Sequence, residues 1–319
     1  MFKTPILLIT FNRPDHVRRV LKEIRKQKPA QLFVSQDGAR EGNENDRIKC
    51  QEVRAVVKEL VDWPCELHTL YQEKNIGCGP GPAAGLTWFF EHVEAGLIFE
   101  DDAVPHPDFF EYAATLLEKY KDDTSIRAIG SMNIDTCKWG DGSYYFSMMN
   151  RNLCAWATWR RAWKDFDLYL RHIPWRKLDR ALKQYGCTFY EREYWLDRLV
   201  EAQKNAQGGK SWDMQFFMSI WLHHGKGIIP NVNLSSNIGT VGEGTHLMGK
   251  GNMIDNIPTH PILPLKHPTS TNIQLEADRE FHRRYFESQP NSVMRFIAKL
   301  NKRIKRITGH QGSWVKKKK

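Results

Sequence analysis

The sequence predicts an α/β protein built on a Rossmann-like, mostly parallel sheet flanked by helices, and three observations predict it. Short apolar runs that read as strands alternate with helical stretches from residue 5 to residue 100. Each run closes on polar or turn-forming residues: Asn12-Arg13-Pro14, Asp37-Gly38, Glu73-Lys74-Asn75 and Glu100-Asp101-Asp102. The last of these places three consecutive acids at the carboxyl end of a strand, the edge on which sheets of this kind bind ligands.

The elements follow in order. PILLIT (residues 5–10) reads as the first strand, and PDHVRRVLKEIRKQ carries Val17, Val20, Leu21 and Ile24 at helical spacing behind Pro14. QLFVSQ is the second strand, followed by a helix around Val53 to Leu60; ELHTLY is the third. Pro80 and Pro82 start a helix over residues 80–92, and GLIF leads into the acidic triplet. Beyond Pro107 the alternation gives way to a helix over residues 108–121, a strand near Ala128 and an aromatic segment from Tyr144 to Trp163. A longer helical region follows, broken by EAQKNAQGGK, and then SWDMQFFMSIWLHHG reads as a helix with Ser211 as N-cap. Residues 251–290, rich in Pro and His from residue 258 onwards, read as a loop wrapping back over the body, and residues 291–319 as a basic amphipathic tail outside it.

Bulk properties narrow the function classes. At 319 residues and 41% hydrophobic, the chain can bury a large core. Its formal charge of +10 would suggest nucleic acid if spread over one face. Instead residues 291–319 hold ten Lys or Arg and no acid, which leaves 37 of each sign in residues 1–290, so no nucleic-acid partner is expected. The six cysteines are scattered without a CxxC pair and read as reduced thiols of a cytosolic protein. The apolar run before Asn12 is too short for a signal peptide or a membrane span.

Three adjacent carboxylates after an apolar strand raise one another's pKa, a cost that a divalent cation removes. Hard cations take oxygen ligands and share them with a nucleotide diphosphate, so Mn2+ or Mg2+ is the expected cofactor. The order of the polar elements resembles that of GT-A glycosyltransferases, in particular the N-acetylglucosaminyltransferase I type with its Glu-Asp-Asp motif, over roughly residues 3–247. The likeness implies a GT-A-like fold over residues 1–250, with a nucleotide-binding half (1–102) and an acceptor-binding half (103–250). It implies a nucleotide-sugar donor, UDP by family, and a hydroxyl acceptor on a glycan or a lipid-linked glycan. Thr10, Phe11, Asn12 and Arg13 look like the nucleotide-entry segment, and Asp37 like the acid that contacts base or ribose. Asn75-Ile76-Gly77 resembles the Asn-x-Gly element; Glu100 and Asp101 then face the donor, and Asp102 is the implied metal ligand.

Downstream, Asp213 matches the general base of inverting members, and a carboxylate there is what an acceptor hydroxyl needs to lose its proton. As an acid in a first helical turn it would also simply complement the helix dipole. His246, in the Gly-rich stretch NLSSNIGTVGEGTHLMG, resembles a late second metal ligand. Core packing is the default for Trp156, Trp159 and Trp163; Trp156 is the candidate acceptor platform among them, with Arg160 and Arg161 candidates for a phosphate on the acceptor.

Two other classes compete. GPGPAA (79–84) fits the GxGxxA dinucleotide fingerprint of an oxidoreductase, although it follows the third strand rather than the first. In the tail, Val293, Phe296, Ile297, Leu300, Ile304 and Ile307 recur at helical spacing among basic residues. Residues 291–307 therefore suit either an anionic membrane surface, as a peripheral enzyme or a non-catalytic adaptor would use, or docking of the apolar face on the body.

Overall fold

The computed structural model describes residues 1–134, 137–149, 155–170, 173–205, 212–239, 256–286 and 293–308. Strand β1 (Ile6–Thr10), helix α1 (Pro14–Gln27), strand β2 (Gln31–Gln36), helix α2 (Glu44–Leu60) and strand β3 (Glu66–Tyr71) form two consecutive βαβ units. Helix α3 (Pro80–His92) and strand β4 (Ala95–Glu100) complete the first half. Pro14 opens α1 because its missing N–H costs nothing there, and Val17, Val20, Leu21 and Ile24 are all buried, as their spacing predicts. Helix α2 begins earlier than Val53, because Asn43 caps it by accepting a hydrogen bond from the Asp46 N–H at 3.0 Å.

After a short strand β5 (Ala103–Pro105) come helix α4 (Asp108–Lys119), strand β6 (Ile126–Gly130), strand β7 (Tyr144–Ser147), strand β8 (Ala155–Trp159) and helix α5 (Arg160–Trp163). Helices α6 (Trp175–Gln184), α7 (Phe189–Asn205) and α8 (Asp213–Leu222) follow, then strands β9 (Lys226–Pro230) and β10 (Ser235–Asn237). The main sheet has eight strands in the order β3-β2-β1-β4-β8-β6-β9-β7. Strands β1 to β4 run parallel, and β8 and β7 run against their neighbours. Helices α1, α2 and α4 share one core with one face of the sheet; α3, α5 and α8 share another with the opposite face.

Two expectations for the carboxyl-terminal part need correction. The stretch read as a wrapping loop contains helix α9 (Leu275–Tyr285), which begins only after Pro258, Pro261, Pro264 and Pro268. Ala277, Asp278, Phe281 and His282 form its buried face, and Asp278 accepts hydrogen bonds from the Ser147 hydroxyl and the Met148 N–H. Helix α10 (Val293–Thr308) is not outside the body but docks on α6 and α7, through its charged residues.

Candidate active site

The strand order reverses between β1 and β4: β2 and β3 lie to one side of β1, and β4 lies on the other. A switch of this kind opens a crevice at the carboxyl ends of the two strands, and those ends carry Thr10–Arg13 and Glu100–Asp102. Arg13 reaches across the crevice. Its guanidinium donates to both Asp101 oxygens and, at 3.1 Å, to Asp102 Oδ2. Burial works against its charge, yet Asp101 and Asp102 outweigh that and hold the guanidinium above its ordinary range. The protein thus supplies one cation of its own to the triplet.

The three acids differ in surroundings. Asp101 and Asp102 are buried, 3% and 8% exposed, while Glu100 retains some contact with solvent. Burial pushes the Glu100 carboxyl well above the usual carboxylate range, with Asp102, Asp213 and Asp101 adding repulsion that Arg13 only partly offsets. Burial and the Asp101 charge raise Asp102 in the same direction. Asp102 Oδ1 is buried without a hydrogen-bond partner, an acceptor that folding has desolvated and left open.

The late segment closes over this end of the sheet. Strand β10 pairs antiparallel with β5, placing Asn237 opposite Ala103, and the Ile238 N–H donates to the Asp102 carbonyl at 2.9 Å. The His16 ring contacts the Ile238 carbonyl at 3.1 Å, and Asn237 Oδ1 accepts the Gly239 N–H at 2.7 Å. A methyl group at Gly239 would overlap Asp102 Oδ2, so only glycine lets the chain pass this close to the carboxylate. The beginning of the Gly-rich stretch therefore reaches Asp102; His246 lies outside the described residues, as does Ser211. Asp213 opens α8, and its charge is one of the causes that raise the Glu100 carboxyl.

Asp37 has other partners than a nucleotide. Its carboxylate accepts the N–H groups of Gly38, Ile76 and Gly77 and the Asn75 side-chain amide, all at 2.9–3.0 Å. Four donors occupy its four lone-pair directions, so Asp37 organises the Asn75-Ile76-Gly77 loop instead of presenting a free acceptor to base or ribose. Gly77 adopts φ +96°, a conformation open to glycine in that loop. Thr10 and Asn12 also serve the scaffold. Thr10 Oγ1 donates to the Ser35 carbonyl, and Asn12 donates to the fully buried Asp46 at 2.7 Å. The Phe11 carbonyl accepts from Gln36, and its ring lies 5.7 Å from the Arg40 guanidinium.

Asp46 was not legible as a site residue, although the capping pattern Asn43-x-x-Asp46 announces it as a helix start. Bonds from Arg40, which outweigh the cost of burial, together with Asn12, lower its carboxyl to about 2. A depressed acid stabilises the fold above its unfolded pKa and loses that contribution as pH falls towards the folded value. Because Arg40 is half exposed, solvent screening reduces the contribution to about 1–2 kcal/mol. Urea unfolding at neutral pH should show Asp46→Asn destabilised by that amount, with the gap to wild type closing as pH falls from about 4 towards 2. A gap that persists at the acid end would mean that the amide disturbs packing.

The proposed acceptor residues lie elsewhere. Trp156 is 1% exposed, with its ring stacked on Trp212 at 5.7 Å and tilted against Phe216. It offers no face to a sugar; it supports the residue that precedes Asp213. Arg160 pairs with Glu94 and donates to the Val93 carbonyl, at the amino end of β4 and so at the opposite edge of the sheet from the triplet. Arg161 caps carbonyls of Tyr120, Asp123 and Ile126. Within GPGPAA, Gly81 has a packing role, since a Cβ there would lie 3.3 Å from Asp37 Oδ2; at Gly85, which follows the stretch, a Cβ would lie 2.5 Å from Ser35 Oγ. The fingerprint follows the edge strand β3, whereas a dinucleotide fold carries it after the first strand.

No family model and no curated protein matches the chain. Among solved structures it is similar to mannose-1-phosphate geranyltransferase from Thermus thermophilus, at 12% identity and TM-score 0.37, covering 72% of this chain and 74% of that one. It is also similar to mouse xyloside xylosyltransferase 1 in its apo form, at 11% identity and TM-score 0.33, covering 70% and 82%. A UDP-glucose pyrophosphorylase complexed with UDP-glucose gives 10% identity and TM-score 0.32 over 52% and 79%.

Proposed function

We propose that the chain is a metal-dependent glycosyltransferase that moves a sugar from a nucleotide-diphosphate donor, UDP-linked by the family resemblance, to an acceptor hydroxyl with inversion at the anomeric carbon. The observation that carries this reading is the acidic triplet at the β1/β4 switch point, with Arg13 bridging Asp101 and Asp102 and Asp213 charged against Glu100. Among the described residues no group of three His, Cys, Asp or Glu side chains is arranged around a common cation position. The oxygen donors nevertheless fit a hard cation, because Mg2+ and Mn2+ sites on nucleotides use one or two carboxylates with substrate phosphates and water. Asp102, with its open buried Oδ1, is the residue that would hold it. Bound there with the donor, the cation would neutralise charge on the diphosphate.

The chain's residues divide the remaining work. Arg13 is a fixed positive charge that can turn from the acids towards a phosphate, keeping the crevice compensated in both states. Glu100, whose carboxyl burial raises, is the acid of the triplet left to hydrogen-bond the donor sugar or ribose. Asp213 takes the proton of the acceptor hydroxyl as its oxygen attacks the anomeric carbon. The bond from that carbon to the diphosphate oxygen breaks, and the nucleoside diphosphate leaves with the electron pair.

A panel of nucleotide sugars with and without Mn2+ tests the reading: one donor should release its nucleoside diphosphate slowly to water only when metal is present. Binding of a nicotinamide dinucleotide without metal, and no hydrolysis of any sugar nucleotide, would favour the oxidoreductase instead. Gly239→Ala checks the crevice separately. The added methyl must displace Asp102 or the β10 segment, so nucleotide affinity by calorimetry should fall about tenfold, ~1.4 kcal/mol, with the melting temperature nearly unchanged. Undiminished affinity would place the nucleotide away from Asp102.

A further inference from the structure

Helix α10 is held to the body by the face that is usually left to solvent. Arg303 bonds to Glu193 and Asp179, Arg306 to Glu193 and Asp197, and Lys302 to Asp197. Glu193 is fully buried under the two arginines, and the Arg303 guanidinium also lies 5.8 Å from the Trp175 ring and 5.7 Å from the Phe189 ring. With the charged face turned in, the apolar residues turn out. Ile297, Leu300, Ile304 and Ile307 are 46%, 38%, 47% and 53% exposed. Among the described residues these four form the one run of exposed large apolar side chains; the other five are scattered over separate elements. Of the two arrangements the sequence allows, docking by the apolar face is not the one adopted.

From this orientation we infer that α10 is a membrane-docking helix whose outward apolar stripe enters the headgroup region of an anionic bilayer. The stripe lies on the side of α10 away from its ion pairs with α6 and α7, and no helix among the described residues is long and apolar enough to cross a membrane. Charge selects the occupant. Residues 291–319 carry ten basic side chains and no acid. Lys302, Arg303 and Arg306 are bonded to acids of the body, which leaves seven others, among them the exposed Lys305 that accompanies the stripe along the helix. An anionic lipid surface complements that excess, whereas a second copy of the chain would bring the same positive helix against it. The buried ion pairs act as the clamp that keeps the arginines from competing for the stripe's side of the helix.

The test uses the full chain and sedimentation with phosphatidylcholine vesicles, with or without phosphatidylserine. The anionic lipid should raise binding about tenfold or more, and added salt should reverse the gain. Leu300→Ser/Ile304→Ser should abolish binding to either vesicle while leaving the melting temperature and metal-dependent donor hydrolysis unchanged. If the double variant unfolds, Ile304→Ser alone, at an exposed position, should still weaken vesicle binding severalfold. A wild-type chain that ignores anionic vesicles overturns the inference. So does a wild-type dimer that the double variant converts to monomer without any change in vesicle binding, because the stripe would then cover a second copy. Donor hydrolysis is scored separately, so failure of either reading is visible without the other.

Discussion

Asp102→Asn should remove metal-dependent nucleotide binding and leave the fold in place. The amide keeps the shape of the carboxylate at the end of β4, but loses the charge that both Arg13 and a divalent cation require. Isothermal titration of UDP with and without Mn2+ measures the difference. In the wild type the metal should tighten UDP binding strongly; in the variant that gain should fall about a hundredfold, ~2.7 kcal/mol. Binding without metal should change much less, since Arg13 retains Asp101 as a partner and remains available to the diphosphate. Folding should tolerate the change because Asp102 is partly a liability in the unliganded protein: burial and Asp101 raise its pKa, and Oδ1 has no partner. Equal metal dependence in variant and wild type would remove Asp102 as the ligand and with it the metal-site assignment.

What could be read from the sequence, and what could not, follows from the range of each interaction. Periodicity is local, so α1 with Val17, Val20, Leu21 and Ile24, and the strand running into Glu100, were legible residue by residue. The edge that carries the polar strand ends Thr10–Arg13 and Glu100–Asp102 was legible as well, but their meeting depends on the pairing of β1 with β4, which the sequence does not state. Partner choice is not local. Nothing in VSQDG tells that Asp37 spends three of its four acceptor directions on the Asn75-Ile76-Gly77 loop, or in ITFNRP that Asn12 is committed to Asp46. The antiparallel insertion of β8 depends on long-range pairing, and with it the burial of Trp156 and the removal of Arg160 to the far edge. An amphipathic pattern such as that of α10 states that two faces differ; which one meets the body depended on Glu193, Asp197 and Asp179, a hundred residues earlier in the chain.

Asp213→Asn should stop sugar transfer while donor binding survives, and the split between those two readouts is what makes the variant informative. An amide at the start of α8 is still a hydrogen-bonding group near the helix N-terminus, so the helix loses at most the modest stabilisation a negative charge gives there. The Trp156–Trp212 stack that supports this turn is untouched. What the amide lacks is a basic oxygen for the acceptor proton, and loss of a general base costs on the order of 10²- to 10⁴-fold in rate. The neighbouring Glu100 is a poor replacement, because removing the Asp213 charge relieves only one of the causes of its raised pKa, and burial, the largest, stays. UDP affinity with Mn2+ should therefore match wild type, while transfer to a saturating acceptor falls by that factor. Near wild-type transfer by the variant would reduce Asp213 to a helix-terminal charge and leave the acceptor proton to another group. A parallel loss of UDP affinity would instead place its carboxylate on the donor side of the crevice, and the base would have to be sought among residues that the triplet does not touch.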